Sequence, residues 1–357
     1  MSLEPIQIQE ILNGYIVDRK NIQSVGNMTV IPIISEVEFT NVADVNDVTL
    51  KKDHHYNRLE FSNASGNIGI VMQGWTIMTE QAAQDRTLPY AHLIKAANSK
   101  LIPANCIQSR QGGLHNVAAF EQENFMILPP SLRSIAFKKS TIREAETGAL
   151  WESLHTWVNG IDCKADGLKH FYSKFESKLN EFVAQFEPVD NQLGAIVLIN
   201  NEVISIDIVP KYDTWKKMWK TIIRDSYGSE ALRIIENEGA NIDTPSIQTS
   251  KIKSFADLKT NYKKMKSDFY DDLQGKFGKI AQTNIGQQLL EKVDELTNIK
   301  FECTDFIGQG IMHGNSHFIY VSLVRSNMIG KKTEKMKSLR NDPYSNSTFF
   351  FRGVDVD

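Results

Sequence analysis

The sequence predicts an α+β protein: an antiparallel β-sandwich-like N-terminal unit, with helices packed on a sheet that later hairpins complete. Three observations carry this. Residues 1–140 hold short apolar runs bounded by Pro, Gly and Asn. At Ser140 the apolar spacing changes to three and four. Paired strand-like runs then return in "GAIVLINNEVISIDIV" and again before Arg325.

The elements follow in order. "MTVIPIIS" sets Val30, Ile31, Ile33 and Ile34 around Pro32, and a proline that cannot donate to a ladder makes this an edge or bulged strand. "YNRLEFSN" alternates at Leu59 and Phe61, and "SGN" turns it into "IGIVMQGWTI". "KLIPANCI" and "NFMILPPSLRSIAF" read as further short strands. Strands at this spacing favour a sandwich or a partly closed barrel.

Beyond Ser140, Leu150, Trp151, Leu154, Trp157 and Val158 share one helical face, with Glu144 and Glu146 expected in the first turns. Leu168, Phe171, Phe175, Leu179, Phe182 and Phe186 form a second stripe, read as core rather than a cofactor box. Asn200 and Asn201 tolerate the left-handed region, so a two-residue hairpin is expected there. Asp213 is expected to cap a helix whose Trp215, Met218, Trp219 and Ile222 pack inward. Ser254 with Asp257 resembles a capping box. It opens a helix striped by Phe255, Leu258, Tyr262, Met265 and Phe269, with a lysine-rich outer face. "QQLLEKVDELTN" reads as more helix, and "KFECTDFIG" with "SHFIYVSLV" as a last strand pair. The expected organisation is therefore a β-rich unit over 1–140 and an α+β unit over 141–325. The second carries a helical insertion at about 238–298, and a basic, polar tail over 326–357 reads as disordered.

The 357 residues carry 40 basic and 43 acidic side chains, a net charge of −3, so no nucleic-acid partner is expected. Cys106, Cys163 and Cys303 lie too far apart for zinc spacing or a disulfide framework, which suits a reducing cytosol. The N-terminal stretch lacks a signal-peptide core, and no window reaches 18 apolar residues. These readings point to a cytoplasmic chain away from membranes.

The sequence has no Walker loop, no GxGxxG after a strand, no HExxH and no GxSxG. "DHHY", Asp53 to Tyr56, reads as a polar loop, and His313 and His317, near Asp305, flank a "GNS" turn; no metal site is expected. Cys106 reads as a small buried hydrophobe, a Cys106–His115 pair being the minor alternative. Two polar clusters end apolar runs: Gln84, Asp85 and Arg86, then Gln108, Arg110 and Gln111. An arginine fork binds carboxylate or phosphate, and a glutamine offers a donor and an acceptor. Converging, these groups would make an anion-plus-amide pocket suited to a nucleotide. Otherwise Arg86 pairs with Asp85 or a neighbouring acid and closes the sheet. Both readings stay open.

The order of Gly74, Gln84, Arg86, Pro103, Cys106, Trp151, Gly194, Ala195 and Asp207 resembles the ARPP domain, named for its association with ARG and rhodanese-phosphatase-superfamily proteins. The resemblance spans roughly Met28 to Val324 and skips the 238–298 stretch. It implies a place in a prokaryotic defence or conflict system and a ligand related to ADP-ribose or NAD. Arg86 and Arg110 would hold phosphate or carboxylate, while Gln84 and Gln108 read polar edges. Asp85 stands where the family has asparagine, and Gln108 where it has glutamate. Because an amide does not titrate, Gln108 could not serve as a general acid or base, and an enzyme would need Asp85 as its base. No cofactor is assigned. The alternative is a non-enzymatic scaffold whose 238–298 insertion docks a protein partner.

Overall fold

The computed structural model describes residues 2–51, 57–77, 85–107, 125–158, 161, 167–238, 254–314, 317–326 and 328. Its centre is a ten-stranded antiparallel sheet. Across it run Ser2–Gln7, Asn284–Val293, Leu296–Glu302, Phe306–His313, His317–Arg325, Glu202–Ile208, Gln192–Ile199, Met28–Ile34 and Ile16–Val17, with Gln23–Val25 also pairing Met28–Ile34. The fold is α+β, as expected. Asn200 and Asn201 both take positive φ (49° and 61°), closing the hairpin between Gln192–Ile199 and Glu202–Ile208 in two residues.

Pro32 sits one strand in from the edge rather than on it. Its carbonyl accepts from the Asp18 amide, so its ring nitrogen, on the same side, faces outward. There the outer pairing is split between Ile16–Val17 and Gln23–Val25, and no ladder donor is missed. At the opposite edge, Ser2–Gln7 shifts register between Leu3 and Ile6, around Pro5.

The face of this sheet that carries Ile196, Leu198, Ile206, Ile208, Ile299 and Phe301 is apolar and packs against Ile8, Ile11 and Leu273. Leu273 belongs to a 27-residue helix, Phe255–Ala281, which Ser254 opens by accepting from the Asp257 amide. The other face carries Ser205, Asp207, Ser322 and Gln309 among apolar neighbours. On it lie the β-rich unit and the helices Pro130–Lys139 and Tyr212–Thr221.

The β-rich unit is built from small antiparallel sheets. Asn98–Pro103, Arg58–Asn63 and Val48–Leu50 form one, and Asn105–Cys106, Arg86–Thr87, Trp75–Ile77 and Phe125–Ile127 form another. Phe61 of the first lies 6.5 Å, ring to ring, from both Trp75 and Phe125 of the second. His92–Ile94 pairs with Gly69–Val71 and joins the unit to the large sheet. There Gln309 accepts from the Ala91 amide, Asn298 donates to the Ala91 carbonyl, and Glu291 accepts from the Leu93 amide.

Several sequence expectations are corrected. "PSLRSIAFKK" is a helix, Pro130–Lys139, and only Phe125–Ile127 of that run is a strand. Pro130 suits a first helical turn, and Leu132 and Ala136, one turn apart, pack in one core cluster while Phe137 packs in another. Residues Gln287 to Asn298 are a hairpin and not a helix: Asn284–Val293 turns at Asp294, φ 50°, into Leu296–Glu302. Ladder pairing on both flanks overrides the helical propensity of "QQLLEK". The 255–281 helix and this hairpin are thus part of the main core. Glu144 and Glu146 precede the helix Gly148–Val158, and Asp213 lies in the first turn after an N-cap at Lys211. The aromatic stripe is core, as expected, on two helices, Gly167–Lys174 and Glu176–Val183.

Candidate functional site

The polar face of the large sheet holds a buried ion pair. Arg133, from the helix Pro130–Lys139, grips Asp207 with both guanidinium ends: Nη1 to Oδ1 at 2.7 Å and Nη2 to Oδ2 at 3.1 Å. Arg133 Nη1 also donates to Ser322 Oγ. Asp207 Oδ2 accepts from Tyr227 and Ser205 hydroxyls. Burial alone would raise the Asp207 carboxyl, but the Arg133 charge and three hydrogen-bonding side chains outweigh it and hold it below its usual range. Burial, then the charge of Asp207, pushes the Tyr227 phenol well up, so it stays a donor. The pair is ionised, and its net charge is zero.

Local sequence makes room for it. Gly74 takes φ +76°, and a Cβ there would come within 2.6 Å of Arg133 Cδ, so only glycine lets the arginine stem pass. Gly194 plays the same part behind Asp207, where a Cβ would collide with the Asp207 carbonyl. Tyr227 and Ser226 come from a π-helical turn, Ile222–Gly228, that interrupts the helix following Tyr212. Ser226 donates to the Leu128 carbonyl, and Tyr227 to Asp207. Such turns are frequent at functional sites.

Beside the ion pair is a small chamber of about 10 Å³, room for one water molecule. Gln73, Trp215, Met218, Tyr320, Arg133 and Asp207 contribute to its lining. Gln73 is 3% exposed, yet neither its amide nitrogen nor its amide oxygen has a partner among the described residues. Trp215 Nε1 and Arg133 Nε are likewise unpartnered there. The Gln73 backbone is fixed, its amide donating to the Tyr320 hydroxyl at 3.0 Å.

An outer pocket of about 300 Å³ shares Ile127 and Met218 with this chamber. Its walls are Trp75 and Phe125, 5.1 Å apart by ring centroids, and its rim holds Lys217, Thr221 and Asn46. Lys217 is exposed and forms no ion pair among the described residues. An aromatic wall and an exposed lysine in one cavity, and a buried amide in a second that shares Ile127 and Met218 with it, suit a flat ring bearing a phosphate or carboxylate.

Of the residues singled out from sequence, Asp85 and Arg86 are described, and Gln84, Gln108 and Arg110 lie outside the described residues. Arg86 is buried, pairs in register with Cys106, and donates from Nη1 to the Arg58 carbonyl at 3.2 Å. Asp85 is buried, and its carbonyl accepts from the Ile107 amide. The chain positions next to the two clusters are therefore neighbours at one end of one sheet. Burial raises the Cys106 thiol, against the opposing charge of Arg86, and Trp151 Nε1 donates to the Cys106 carbonyl. His115 and Asp53–Tyr56 fall outside the described residues. His317 stacks on Tyr15, His313 packs tilted against Phe39, and no metal-binding cluster occurs among the described residues. No described helix is long and apolar enough to cross a membrane.

The family model for the ARG and Rhodanese-Phosphatase-superfamily-associated Protein domain matches residues 17–324. The chain belongs to this family. The matched range of this ARPP-family protein takes in the Arg133–Asp207 pair, the chamber and the outer pocket. No curated protein and no solved structure matches the chain. Sequence reasoning quoted Gly74, Gly194, Ala195 and Asp207 for the resemblance, and all four meet at the ion pair: Asp207 faces Ala195 across the ladder. Gln73, Arg133, Trp215 and Lys217 went unrecognised as site residues.

Proposed function

We propose that this ARPP-family protein recognises a nucleotide-type ligand, related to ADP-ribose or NAD, in the pocket walled by Trp75 and Phe125. One observation carries the reading: an aromatic-lined pocket of about 300 Å³ with a lysine at its rim, next to a small chamber lined by Gln73 and the charge-balanced Arg133–Asp207 pair. A base stacks on the aromatic wall, and Lys217 meets the phosphate. From the two polar clusters, Gln84, Gln108 and Arg110 would read ligand edges and anion, and Arg86 would add its charge from the strand it ties to the Arg58 carbonyl. Binding without turnover fits Gln108, an amide that does not exchange protons. Were there turnover, Asp85 would be its base. The association with ARG and rhodanese-phosphatase-superfamily proteins in the family's name is the support for a defence-system ligand of this class.

The scaffold reading is weaker, because the stretch it needs is spent on the core: Leu273 is buried against the sheet, and Asn284–Glu302 supplies two of its strands. Calorimetric titration of ADP-ribose and NAD into the protein tests the proposal. Lys217→Ala should weaken binding about tenfold while leaving the melting temperature unchanged, since its side chain is exposed. Equal affinity in the two proteins, or no binding of either compound, would sink it.

A further inference from the structure

We infer that the inner chamber is a specificity subsite for a neutral, carbonyl-bearing amide edge, a carboxamide or a ring lactam, on the ligand held in the outer pocket. This rests on the nucleotide reading above and names the chemistry that reading leaves open.

The charge of the chamber argues first. Arg133 and Asp207 cancel, and Asp207 spends its oxygens on Arg133, Ser205 and Tyr227. A phosphate or an ammonium group would be buried there without a counter-charge, at a cost of several kcal/mol. A neutral polar group meets no such penalty.

The donor count argues next. Among the described residues that line the chamber, the groups without a partner are the Gln73 amide, Trp215 Nε1 and Arg133 Nε. Together they offer four N–H donors, two of them on Gln73, against one acceptor, the Gln73 carbonyl. Rotating the Gln73 amide by half a turn leaves the count unchanged. A complementary group must therefore accept more than it donates while giving one N–H back. A carbonyl beside an N–H does this, through a two-point pairing with Gln73 and a further bond from Trp215 or Arg133. An aminopurine edge, which lacks a carbonyl, does it poorly.

The place of the chamber argues third. Ile127 and Met218 line both cavities, so a ring stacked on Phe125 reaches Gln73 by displacing the one water that fits and turning a methionine. Methionine has three rotatable bonds and repacks at low cost. The Gln73 backbone is held in place, since its amide donates to the Tyr320 hydroxyl and Gly74 beside it leaves no room for a Cβ against Arg133. A buried glutamine whose two polar atoms have no protein partner among the described residues is left to the one water that fits, and recognition is what such a group gains.

Titration of nicotinamide mononucleotide (carboxamide), inosine monophosphate (lactam) and adenosine monophosphate (neither) tests the inference. At least one of the first two should bind about tenfold more tightly than the third, and which one does identifies the source of the edge. Gln73→Leu should abolish that preference and leave adenosine monophosphate unchanged, whereas Lys217→Ala should weaken all three by a similar factor. Equal affinities, or a preference that survives Gln73→Leu, overturn the subsite and leave the outer pocket standing. Nicotinamide alone separates the other case: its chemical-shift changes should vanish in Gln73→Leu and persist in Lys217→Ala. Absence of those changes in the unmodified protein refutes the chamber; their presence without any nucleotide binding refutes the phosphate-binding rim alone. Because Gln73→Leu removes an unsatisfied group, its melting temperature should not fall, which keeps a folding defect from mimicking the result.

Discussion

The two faces of the large sheet share strands and differ in what they bury. Toward the helix Phe255–Ala281 the sheet presents isoleucine, leucine and phenylalanine in one cluster with Leu273. Toward the β-rich unit it presents Ser205, Asp207, Gln309 and Ser322, each buried. Alternation along a strand makes this division possible, since neighbours point to opposite faces. The first face is what stability alone would select. The second carries one side of the Arg133–Asp207 ion pair, and the β-rich unit that covers it adds the buried His92 and Gln73, groups that lower stability unless matched; that is the face with the chamber.

The most severe way to break the comparison is to remove one partner of the ion pair. Arg133→Met leaves Asp207 charged and buried, and should cost about 3–5 kcal/mol. Chemical denaturation would show it, and the paired change Arg133→Met with Asp207→Leu should recover most of the loss. On the apolar face, Leu273→Ala should cost about 3 kcal/mol through lost burial and a residual cavity, with ligand binding unchanged. If that variant bound ligand more weakly, the two faces would be coupled.

A third test uses pH. His92 is buried; burial and the charge of Lys100 push its pKa down to about 3, while Glu291, 3.9 Å away, is engaged with Lys100 and the Leu93 amide. Its folded value lies below the unfolded one, about 6.5, so acid protonates the unfolded chain first. The contribution of His92 is complete above about 6.5 and is lost as pH falls toward 3, amounting to about 2 kcal/mol between pH 7 and pH 5. Urea melts of His92→Leu at those two values should lack that part of the loss. The smallest effect expected is a gain: Gln73→Leu should stabilise the protein by about 1 kcal/mol, the reverse of what a structural amide would give.

The fold class was legible because periodicity reports which side of an element is covered. The Asn200–Asn201 turn and the Ser254 cap were legible because local chemistry decides them. Gln287–Asn298 was not: "QQLLEKVDEL" fits a helix locally, and only the flanking strands, from Ser2–Gln7 and Phe306–His313, make it a hairpin. Arg133 was hidden inside a run read as a strand. Asp207 and Ser205 alternate with isoleucines, a pattern that reads as a solvated face until a helix and a second sheet are known to cover it. Had "SIDIV" been weighed with Gly74 and with the serine of "VSLV", a buried polar row could have been suspected. Lys217 looked like any solvated lysine, because a pocket made by Trp75, Phe125 and a distant helix leaves no mark on its own segment.

Pro32 and Pro5 bear on how copies of this protein meet at high concentration. A ten-stranded sheet has two open sides, and a long flat side is a template on which another chain can add a strand. Here one side is cut into Ile16–Val17 and Gln23–Val25, with Pro32 behind the gap, and the other shifts register around Pro5. Neither side offers an unbroken row of free amides and carbonyls. Replacing these prolines would lengthen those rows, so the expected cost of losing them is self-association rather than unfolding.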